Sequence, residues 1–539
     1  MKRKLRLLSV LLMAGILLLN MTACGSGEKD QTDSNGPAGV TPSGETDKQP
    51  EVSRDFEVII ASAAEPESLD PQISGAAAGG NISYNLFDYM VRMSADGTEA
   101  VPCLATSWEQ PDENTWRFHL REGVTFTNGE PFNAECVTYT LDRIFEPESG
   151  RTTYNLKVLD SWTAIDEYTV DLHTAEPCND MPTRLYDMAI LPAKYGQEVS
   201  ADEFGTKPIG CGPYKLEEWA TNNFISLTAN EDYWDGAPDC KKMTFRTIPE
   251  ISTRLAELMA GSVDIVLDLN PDYIETVNNY AGYSAVSALS KRVAYIGIDT
   301  LNADSPKELQ DPRVRQALNY AIDRDAMIEN LYLGNAGKLA TIWREDYVGY
   351  DETVSGPAGA YPYDPDKARE LLADAGYAGG FTIDLYYTPQ MFLKCEETCL
   401  AVAGYLEDIG LKVNLNEVEY NALRAQLING QDAHAVKGLF GWNWGAKPQT
   451  PDGHLAGAIE TGGITSYYTN SEVDALIAQL RSVPEDERAG VAAQLQSLLY
   501  EDCPYIFLWQ QMDVYGINEK IAWEPRLDQY VLGKDMSKK

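Results

Sequence analysis

The chain has 539 residues, and its 82 aspartates and glutamates outnumber its 43 lysines and arginines, which gives a formal net charge of −39 at pH 7. A chain this acidic repels nucleic acids and anionic lipid surfaces, so its composition argues against nucleic-acid binding. Its length is sufficient for one large domain or several of medium size.

The N-terminus has the pattern of a secretory signal. Four of the first six residues are basic, and residues 7–19 are an apolar run shorter than the ~20 residues that span a bilayer. The run ends at Met21-Thr22-Ala23-Cys24-Gly25, which resembles the lipobox of bacterial lipoproteins. That resemblance implies a signal peptide over residues 1–23 and acylation of Cys24, where two acyl chains already anchor stably. An ordinary signal peptide with an incidental cysteine is the alternative.

Residues 25–54 are rich in Gly, Ser, Thr, Asp, Glu and Pro and contain almost nothing that could be buried. Such a segment cannot offset the entropy cost of ordering, so we expect residues 24–54 to be a lipid anchor followed by a disordered tether. This places the body outside the cytoplasm, on the outer face of a Gram-positive-type membrane or in a periplasm.

Several later segments have local signals for strands and helices. Residues 57–61 have the pattern of an opening strand. Asp311-Pro312 and Asp364-Pro365 each place a capping carboxylate before a proline at the first helical position. Ser471 and Asp474 have the spacing of a capping box.

Residues 381–418 predict a parallel βαβ unit. Apolar residues alternate over 381–385 and again over 411–415, a helix is predicted over about 395–409, and Gly410 ends it. Ligands of parallel sheets gather beyond the carboxyl ends of strands, which here means residues 386–392. We therefore expect an α/β fold.

A search for catalytic and metal-binding motifs gives no candidate. The sequence has no nucleophile elbow, zinc-protease or phosphate-loop motif, and its four histidines have no metal-ligand spacing. Beyond Cys24, eight cysteines have irregular spacing; Cys395 and Cys399 could form a disulfide or metal pair, although two free thiols are the favoured interpretation. We predict no catalytic residues, no metal and no cofactor.

The densest aromatic segment is Trp442-Asn443-Trp444-Gly445. Two tryptophans that flank an amide could form the apolar walls and hydrogen-bonding groups of a solute cleft. A buried strand with one tryptophan packed inward and the other covering a surface is an equally good interpretation.

Several motifs, in order along the chain, resemble family 5 solute-binding proteins, the peptide/nickel-type receptors of ATP-binding-cassette importers. The similarity covers about 57–530, and its motifs are residues 103–109, 116–126, Leu69-Asp70-Pro71, Gly212-Pro213-Tyr214, Asn230 with Tyr233-Trp234, residues 314–318 and Asp323-Arg324. The motif at 116–126 is expected to be structural. Cys211, where the family usually has threonine or asparagine, is a conservative departure in a turn.

The resemblance implies a two-lobed, periplasmic-binding-protein-like α/β fold with an extra domain inserted in lobe one. Carried onto this chain, lobe one comprises about 55–93, 206–295 and 505–530. The inserted domain comprises about 94–205, and lobe two about 296–504.

The resemblance also implies ligand contacts from both lobes. The backbone of Gly75, Ala76 and Ala77 is expected to pair with an extended peptide, and Tyr295 to form a second wall. Lobe two is expected to contribute Tyr387, Phe392, Trp442, Asn443, Trp444 and Gly445. In peptide-binding members, an aspartate that comes shortly after the tryptophan holds the ammonium group of the peptide. Here Gly445, Ala446 and Lys447 take its place, and Asp452 is the next candidate along the chain.

These features together predict an extracytoplasmic, monomeric receptor that passes its ligand to permease and ATPase subunits, and not an enzyme. Peptide is the favoured ligand, followed by an oligosaccharide because of the paired tryptophans, and then by a metal chelate. A surface-tethered hydrolase is the alternative from another class.

Overall fold

The computed structural model describes residues 56–73, 77–94, 99–146, 156–428, 434–445 and 451–539. The predicted signal peptide, lipid-modified Cys24 and tether lie outside these ranges. Within them, no helix is long and apolar enough to cross a membrane.

The described part of the chain contains fifteen α-helices and nineteen strands, beside short 3-10 and π-helices. The helices are α1 (Ala77–Leu86), α2 (Ala134–Ile144), α3 (Met181–Arg184), α4 (Ala193–Glu198), α5 (Ala201–Thr206), α6 (Ile251–Met259), α7 (Ile274–Asn278), α8 (Pro312–Tyr320), α9 (Arg324–Tyr332), α10 (Pro365–Asp374), α11 (Cys395–Asp408), α12 (Tyr420–Ile428), α13 (Pro451–His454), α14 (Ser471–Ser482) and α15 (Glu485–Asp502). The strands are β1 (Glu57–Ser62), β2 (Val91–Met93), β3 (Ala100–Pro102), β4 (Ala105–Asp112), β5 (Thr115–Leu120), β6 (Leu159–Asp166), β7 (Thr169–Thr174), β8 (Tyr214–Ala220), β9 (Phe224–Ala229), β10 (Lys242–Thr247), β11 (Ile265–Val266), β12 (Tyr283–Ile298), β13 (Ala336–Lys338), β14 (Thr382–Tyr387), β15 (Lys412–Glu417), β16 (Leu439–Gly445), β17 (Tyr505–Asn518), β18 (Ile521–Ala522) and β19 (Ser537–Lys538).

One mixed sheet of eleven strands runs through the molecule. Its order is β15-β14-β16-β12-β17-β11-β1-β10-β9-β8, and β13 also pairs with β17. The long antiparallel strands β12 and β17 are shared by the two halves of this sheet, because the C-terminal part of β12 pairs with β16 while β17 pairs with β11. Their mutual register is interrupted between Leu289 and Val293, and we call residues 290–292 the hinge segment.

A separate antiparallel sheet, β4-β5-β7-β6, lies within the range predicted for the inserted domain. Strands β5 and β7 and helix α2 contribute to a hydrophobic cluster that includes Phe118, Val137 and Leu172. A different cluster fills the half of the large sheet around β14, β16 and β12. The lobe boundaries themselves stay predictions.

The helix-capping signals were correct in two of three places. Asp311 accepts a hydrogen bond from the Arg313 amide at 2.9 Å, and Asp364 accepts one from the Lys367 amide at 2.8 Å. The predicted capping box is wrong, since Ser471 is already the first helical residue and Asn470 caps α14. The Asn470 side-chain oxygen accepts hydrogen bonds from the backbone N–H groups of Glu472 and Val473. Both groups are at the helix start, where backbone donors have no partner within the helix.

The predicted βαβ unit is confirmed. Strands β14 and β15 are parallel, with Thr382 paired to Lys412 and Tyr387 to Glu417, and α11 crosses between them. The eight cysteines after Cys24 are free and buried, so Cys395 and Cys399 on α11 form no disulfide.

The turn predicted around Cys211 packs directly on the end of α1 through Gly210 and Gly212. A Cβ atom on Gly210 would overlap the carbonyl oxygen of Leu86, and the Gly212 amide donates to that same oxygen at 3.0 Å. Glycine is needed here because two backbone segments touch without side chains between them.

Candidate functional site

The end of β16 has an unpaired edge in the described part of the chain. β16 pairs with β12 over its whole length, from Leu439 opposite Ile298 to Gly445 opposite Arg292. Its pairing with β14 is limited to Leu439 and Phe440. From Gly441 onward, no described strand lies on the β14 side, and solvent exposure increases toward Gly445.

Trp442 lies on this segment with its ring turned inward. It is opposite Tyr295 in the β12–β16 register, so the two rings share one face of the sheet. Trp442 and Tyr295 are both buried, and Tyr295 stacks on Tyr505 with ring centroids 4.3 Å apart. The indole Nε1 of Trp442 is buried and has no hydrogen-bond partner among the described residues. Unpartnered buried polar atoms are few in folded proteins, and Trp442 Nε1 is one of eight among the described residues.

Trp444 has a different role, because its contacts join β16 to α13 and to Gly457 just after that helix. Its Nε1 donates to the Gly453 carbonyl at 3.2 Å, and a Cβ on Gly457 would overlap its ring. Its own carbonyl lies 2.9 Å from His454 Nε2. Burial and the charge of Arg344 lower the pKa of His454 to about 3. The ring is therefore neutral, and donation from Nε2 leaves Nδ1 to accept from Tyr347, whose hydroxyl is 2.5 Å away.

Polar side chains connect the end of β16 with β17 and β12. Asn443 Nδ2 donates to Gln511 Oε1 at 3.2 Å, and Gln511 Nε2 donates to Asp513 Oδ1 at 3.0 Å. Arg292 Nη2 donates to the same Asp513 oxygen at 2.6 Å. A Cβ on Gly445 would lie 3.2 Å from Arg292 Cγ, so the glycine leaves room for the arginine.

The hinge segment positions Arg292. Because residues 290–292 lie outside the regular β12–β17 register, their backbone groups need other partners. Gln510 Nε2 donates to the Ser290 carbonyl at 2.8 Å, and Arg344 Nη1 donates to the Lys291 carbonyl at 2.7 Å. These bonds hold the backbone of the hinge segment in place, so that the Arg292 side chain reaches Asp513.

A cavity of about 290 Å³, which we call the hinge cavity, lies beside this polar network. It is lined by Asp268, Leu269, Arg292, Pro389, Gln390, Met391, Phe392, Leu393, Gln511, Met512, Asp513 and Val514. Residues 389–393 follow the carboxyl end of β14, which is where the sequence placed the ligand. Phe392 thus lines the cavity, while Tyr387 is buried just before it, with its Cβ 3.7 Å from the position of a Cβ on Gly441.

Asp452 lies in an ion-pair network and not on the hinge cavity. Its Oδ2 accepts from Arg184 and its Oδ1 from Arg481, each at 2.5 Å. Both carboxylate oxygens are thus held by arginines, which gives Asp452 an ion-pair role in this structure, and its predicted contact with the ligand stays a prediction.

The structure describes only part of the segment Gly75–Ala77, whose backbone was predicted to pair with a peptide. Gly75 and Ala76 lie outside the described residues, and Ala77 is the first residue of α1. The predictions for Gly75 and Ala76 therefore remain predictions, whereas Ala77 has helical and not extended backbone.

Sequence reasoning missed Asp268, Arg292, Gln511 and Asp513. The charged pair Lys291-Arg292 inside an otherwise apolar strand was a usable signal, since strand interiors rarely carry such charges without a partner. Nothing in the sequence indicated that Asp268 and Asp513 would lie close to it.

Three comparisons show which known proteins the chain resembles in sequence and in fold. The family model described as bacterial extracellular solute-binding proteins, family 5, matches residues 99–464. Heme-binding protein A of Haemophilus influenzae is 27% identical over 488 residues, with 83% of this chain and 86% of the relative covered. Glutathione-binding protein GsiB of Pectobacterium atrosepticum is 27% identical over 487 residues, with 86% and 91% covered.

The fold also matches a solved structure. The oligopeptide-binding protein AppA of Bacillus subtilis, in complex with a nonapeptide, superimposes with a TM-score of 0.76 at 22% identity, covering 90% of this chain and 99% of that one. At this identity the similarity shows the fold alone, which is the two-lobed architecture of periplasmic binding proteins.

Proposed function

The chain belongs to the bacterial extracellular solute-binding proteins of family 5, and we propose that it captures peptides outside the cytoplasm for an ATP-binding-cassette importer. Receptors of this kind work with a permease and an ATPase. The family consists of binding proteins, and we propose that this member has no catalytic activity.

The unpaired edge of β16 is the observation that carries the choice of peptide. Backbone N–H and C=O groups along an open strand edge recognise another extended backbone by adding it as a further strand. Two neighbours of this part of β16 line the hinge cavity: Arg292 is opposite Gly445, and Gln511 accepts a hydrogen bond from Asn443. An extended peptide fits such a site because its backbone would pair with β16 and a side chain could enter the cavity.

The names of two relatives and of one solved structure also bear on the choice of ligand. One relative is named for heme and another for glutathione, which is itself a peptide. AppA, which shares the fold, was solved with a nonapeptide. Oligosaccharides and metal chelates are the competing ligands.

We expect a peptide digest to stabilise the purified protein, with a higher melting temperature than in buffer, because a ligand at 100 times its Kd adds about 2.7 kcal/mol to the free energy of unfolding. The measurement is thermal unfolding with a casein digest, glutathione, maltohexaose, hemin or nickel–histidine. Mass spectrometry then identifies the peptides released from the washed protein. Stabilisation by maltohexaose or nickel–histidine alone, with no retained peptide, would reject the proposal.

We also propose that Cys24 is acylated and anchors the receptor to the membrane, as the residues before it suggest. Replacing Cys24 with serine removes the thiol that carries the lipid, so we expect the protein to move from the membrane fraction to the soluble fraction or the medium. Fractionation and immunoblotting measure this, with Cys136→Ser as a matched cysteine control that should stay membrane-bound. Unchanged detergent partitioning of Cys24→Ser would contradict anchoring through this residue.

A further inference from the structure

Two of the buried cysteines lie side by side. Cys395 and Cys399 are one turn apart on α11, and their exposed fractions are 1% and 0%. A Cβ atom on Gly441 of β16 would lie 2.8 Å from the Cys399 sulfur and 3.6 Å from the Cys395 sulfur. Both sulfurs therefore lie over the same glycine, and only a residue without a side chain leaves room for them there.

Most of the other buried thiols differ from this pair, because they donate a hydrogen bond to an oxygen. Five of them donate to a carboxylate or carbonyl oxygen at 3.0–3.7 Å, namely those of Cys103, Cys136, Cys178, Cys240 and Cys503. In the described part of the chain, Cys395 and Cys399 donate to no oxygen, and each thiol has the other as its polar neighbour. The lone pairs of both sulfurs are thus available to a ligand that binds between them.

The position of both cysteines on one helix favours a metal ion over a disulfide. Cβ atoms four residues apart on a helix are separated by about 5–6 Å, whereas a disulfide needs about 3.5–4.5 Å. Closing a disulfide would therefore distort the first turn of α11. A metal ion between the sulfurs adds two bonds of about 2.3 Å each, the length of a zinc–thiolate bond, and so spans the wider separation.

The number of ligands indicates which metal fits. The described residues contain no group of three or more histidine, cysteine, aspartate and glutamate side chains that could hold a metal ion. Structural zinc takes four ligands, so the pair does not suit it. Thiolates select soft ions such as Cu(I), which accepts two sulfur ligands in a linear arrangement. Cys395 is also the first residue of α11, where the partial positive charge of a helix N-terminus favours an anionic complex.

We propose that Cys395 and Cys399 bind one soft metal ion, Cu(I), between their sulfur atoms. Two S–H bonds are replaced by two Cu–S bonds, both protons leave to solvent, and no oxidation state changes. Because both sulfurs are buried, the ion would enter when the first turn of α11 opens locally, as helix ends do. The Cys395 amide donates to the Phe392 carbonyl at 3.1 Å, so this turn adjoins a residue that lines the hinge cavity.

The experiment measures the transfer of Cu(I) from its bathocuproine complex in the absence of oxygen. It uses the full chain with Cys24→Ser, which leaves the eight buried cysteines as the only thiols. Cys395→Ser and Cys399→Ser each remove one ligand. Cys136→Ser is the matched control, because Cys136 is also 1% exposed but its thiol donates to the Pro131 carbonyl. Native mass spectrometry counts the bound ions.

The Cys24→Ser chain and its Cys136→Ser variant should each bind one Cu(I) ion. Either ligand variant should bind it about 100- to 10,000-fold more weakly, since that is the usual gain from a second, linked ligand. Alkylation of the loaded Cys24→Ser chain during brief heating, followed by peptide mapping, should show Cys395 and Cys399 protected and the other cysteines unprotected. This mapping keeps the test independent of the folding of the serine variants.

Three results would overturn the inference. If the Cys24→Ser chain takes no Cu(I) from bathocuproine, the pair is not a metal site. If both ligand variants hold the ion as tightly as Cys136→Ser, or if the metal protects other cysteines, the ion binds elsewhere. A disulfide between Cys395 and Cys399 in the purified protein would show that the pair closes without a metal. None of these results bears on the proposed peptide ligand.

Discussion

Replacing Trp442 with alanine is expected to weaken peptide binding by about 30- to 1000-fold and to lower the free energy of unfolding by about 3–5 kcal/mol. The second effect follows from packing, because Trp442 is buried in the same hydrophobic cluster as Tyr295 and Phe440. The first follows from its place on the unpaired edge of β16.

A second tryptophan separates the two effects. Trp523 is buried to a similar extent, its Nε1 also has no partner among the described residues, and it packs on Tyr515 in a different hydrophobic cluster. Trp523→Ala should therefore lose comparable stability but keep its affinity. Denaturant unfolding and calorimetric titration of both variants measure the two quantities. Wild-type affinity in Trp442→Ala would show that the binding surface is not on β16.

Local signals predicted the helices and the βαβ unit well because these elements depend on neighbouring residues. A carboxylate followed by proline gives a helix start at Asp311 and Asp364 regardless of the rest of the fold. The error at Ser471 has the same local origin, since Asn470 and Ser471 are both good caps and only the chain entering the helix decides between them.

The site could be predicted only where it lies on such elements. The loop after β14 follows from the rule for carboxyl ends of parallel strands, and Phe392 does line the hinge cavity. For the two tryptophans, the sequence left the cleft and the buried strand equally open. The structure separates them: Trp442 is turned inward on the part of β16 that has no second described strand beside it, and Trp444 is bonded to α13.

The charged part of the site could not have been predicted from spacing. Asp268, Arg292 and Asp513 come from three distant segments. Arg292 and Asp513 meet because β12 and β17 are antiparallel with an interrupted register at the hinge segment. Asp268 follows β11, which pairs with β17, and the Leu269 amide donates to the Val514 carbonyl at 2.9 Å. One residue more or less in that interruption would turn Arg292 to the other face of the sheet. Register of this kind is set by the whole sheet and leaves no local pattern.

Asp452 shows how a residue that sequence assigned to the ligand can serve the architecture. It lies in the range predicted for lobe two, and Arg184 in the range predicted for the inserted domain. Their side chains are 6% and 4% exposed. Arg184 is also paired with Asp180 at 2.8 Å, and Arg481 with Glu460 at 2.7 Å. Burial alone would lower the pKa of Arg184, but the charges of Asp180 and Asp452 hold it well above its ordinary value.

Asp452→Ala is therefore expected to lower the free energy of unfolding by about 3–5 kcal/mol, because it removes one of the two carboxylates that pair with buried Arg184 among the described residues. It should also increase the radius of gyration of the unliganded protein, since this pair holds together segments predicted to move apart when the lobes open. Asp366→Ala is the control: Asp366 pairs with Arg369 on the surface of α10, so its loss should change stability by less than about 0.5 kcal/mol. Chemical denaturation and small-angle scattering provide the two measurements. If Asp452→Ala were as stable and as compact as Asp366→Ala, the network around Arg184 would not hold the two predicted lobes together.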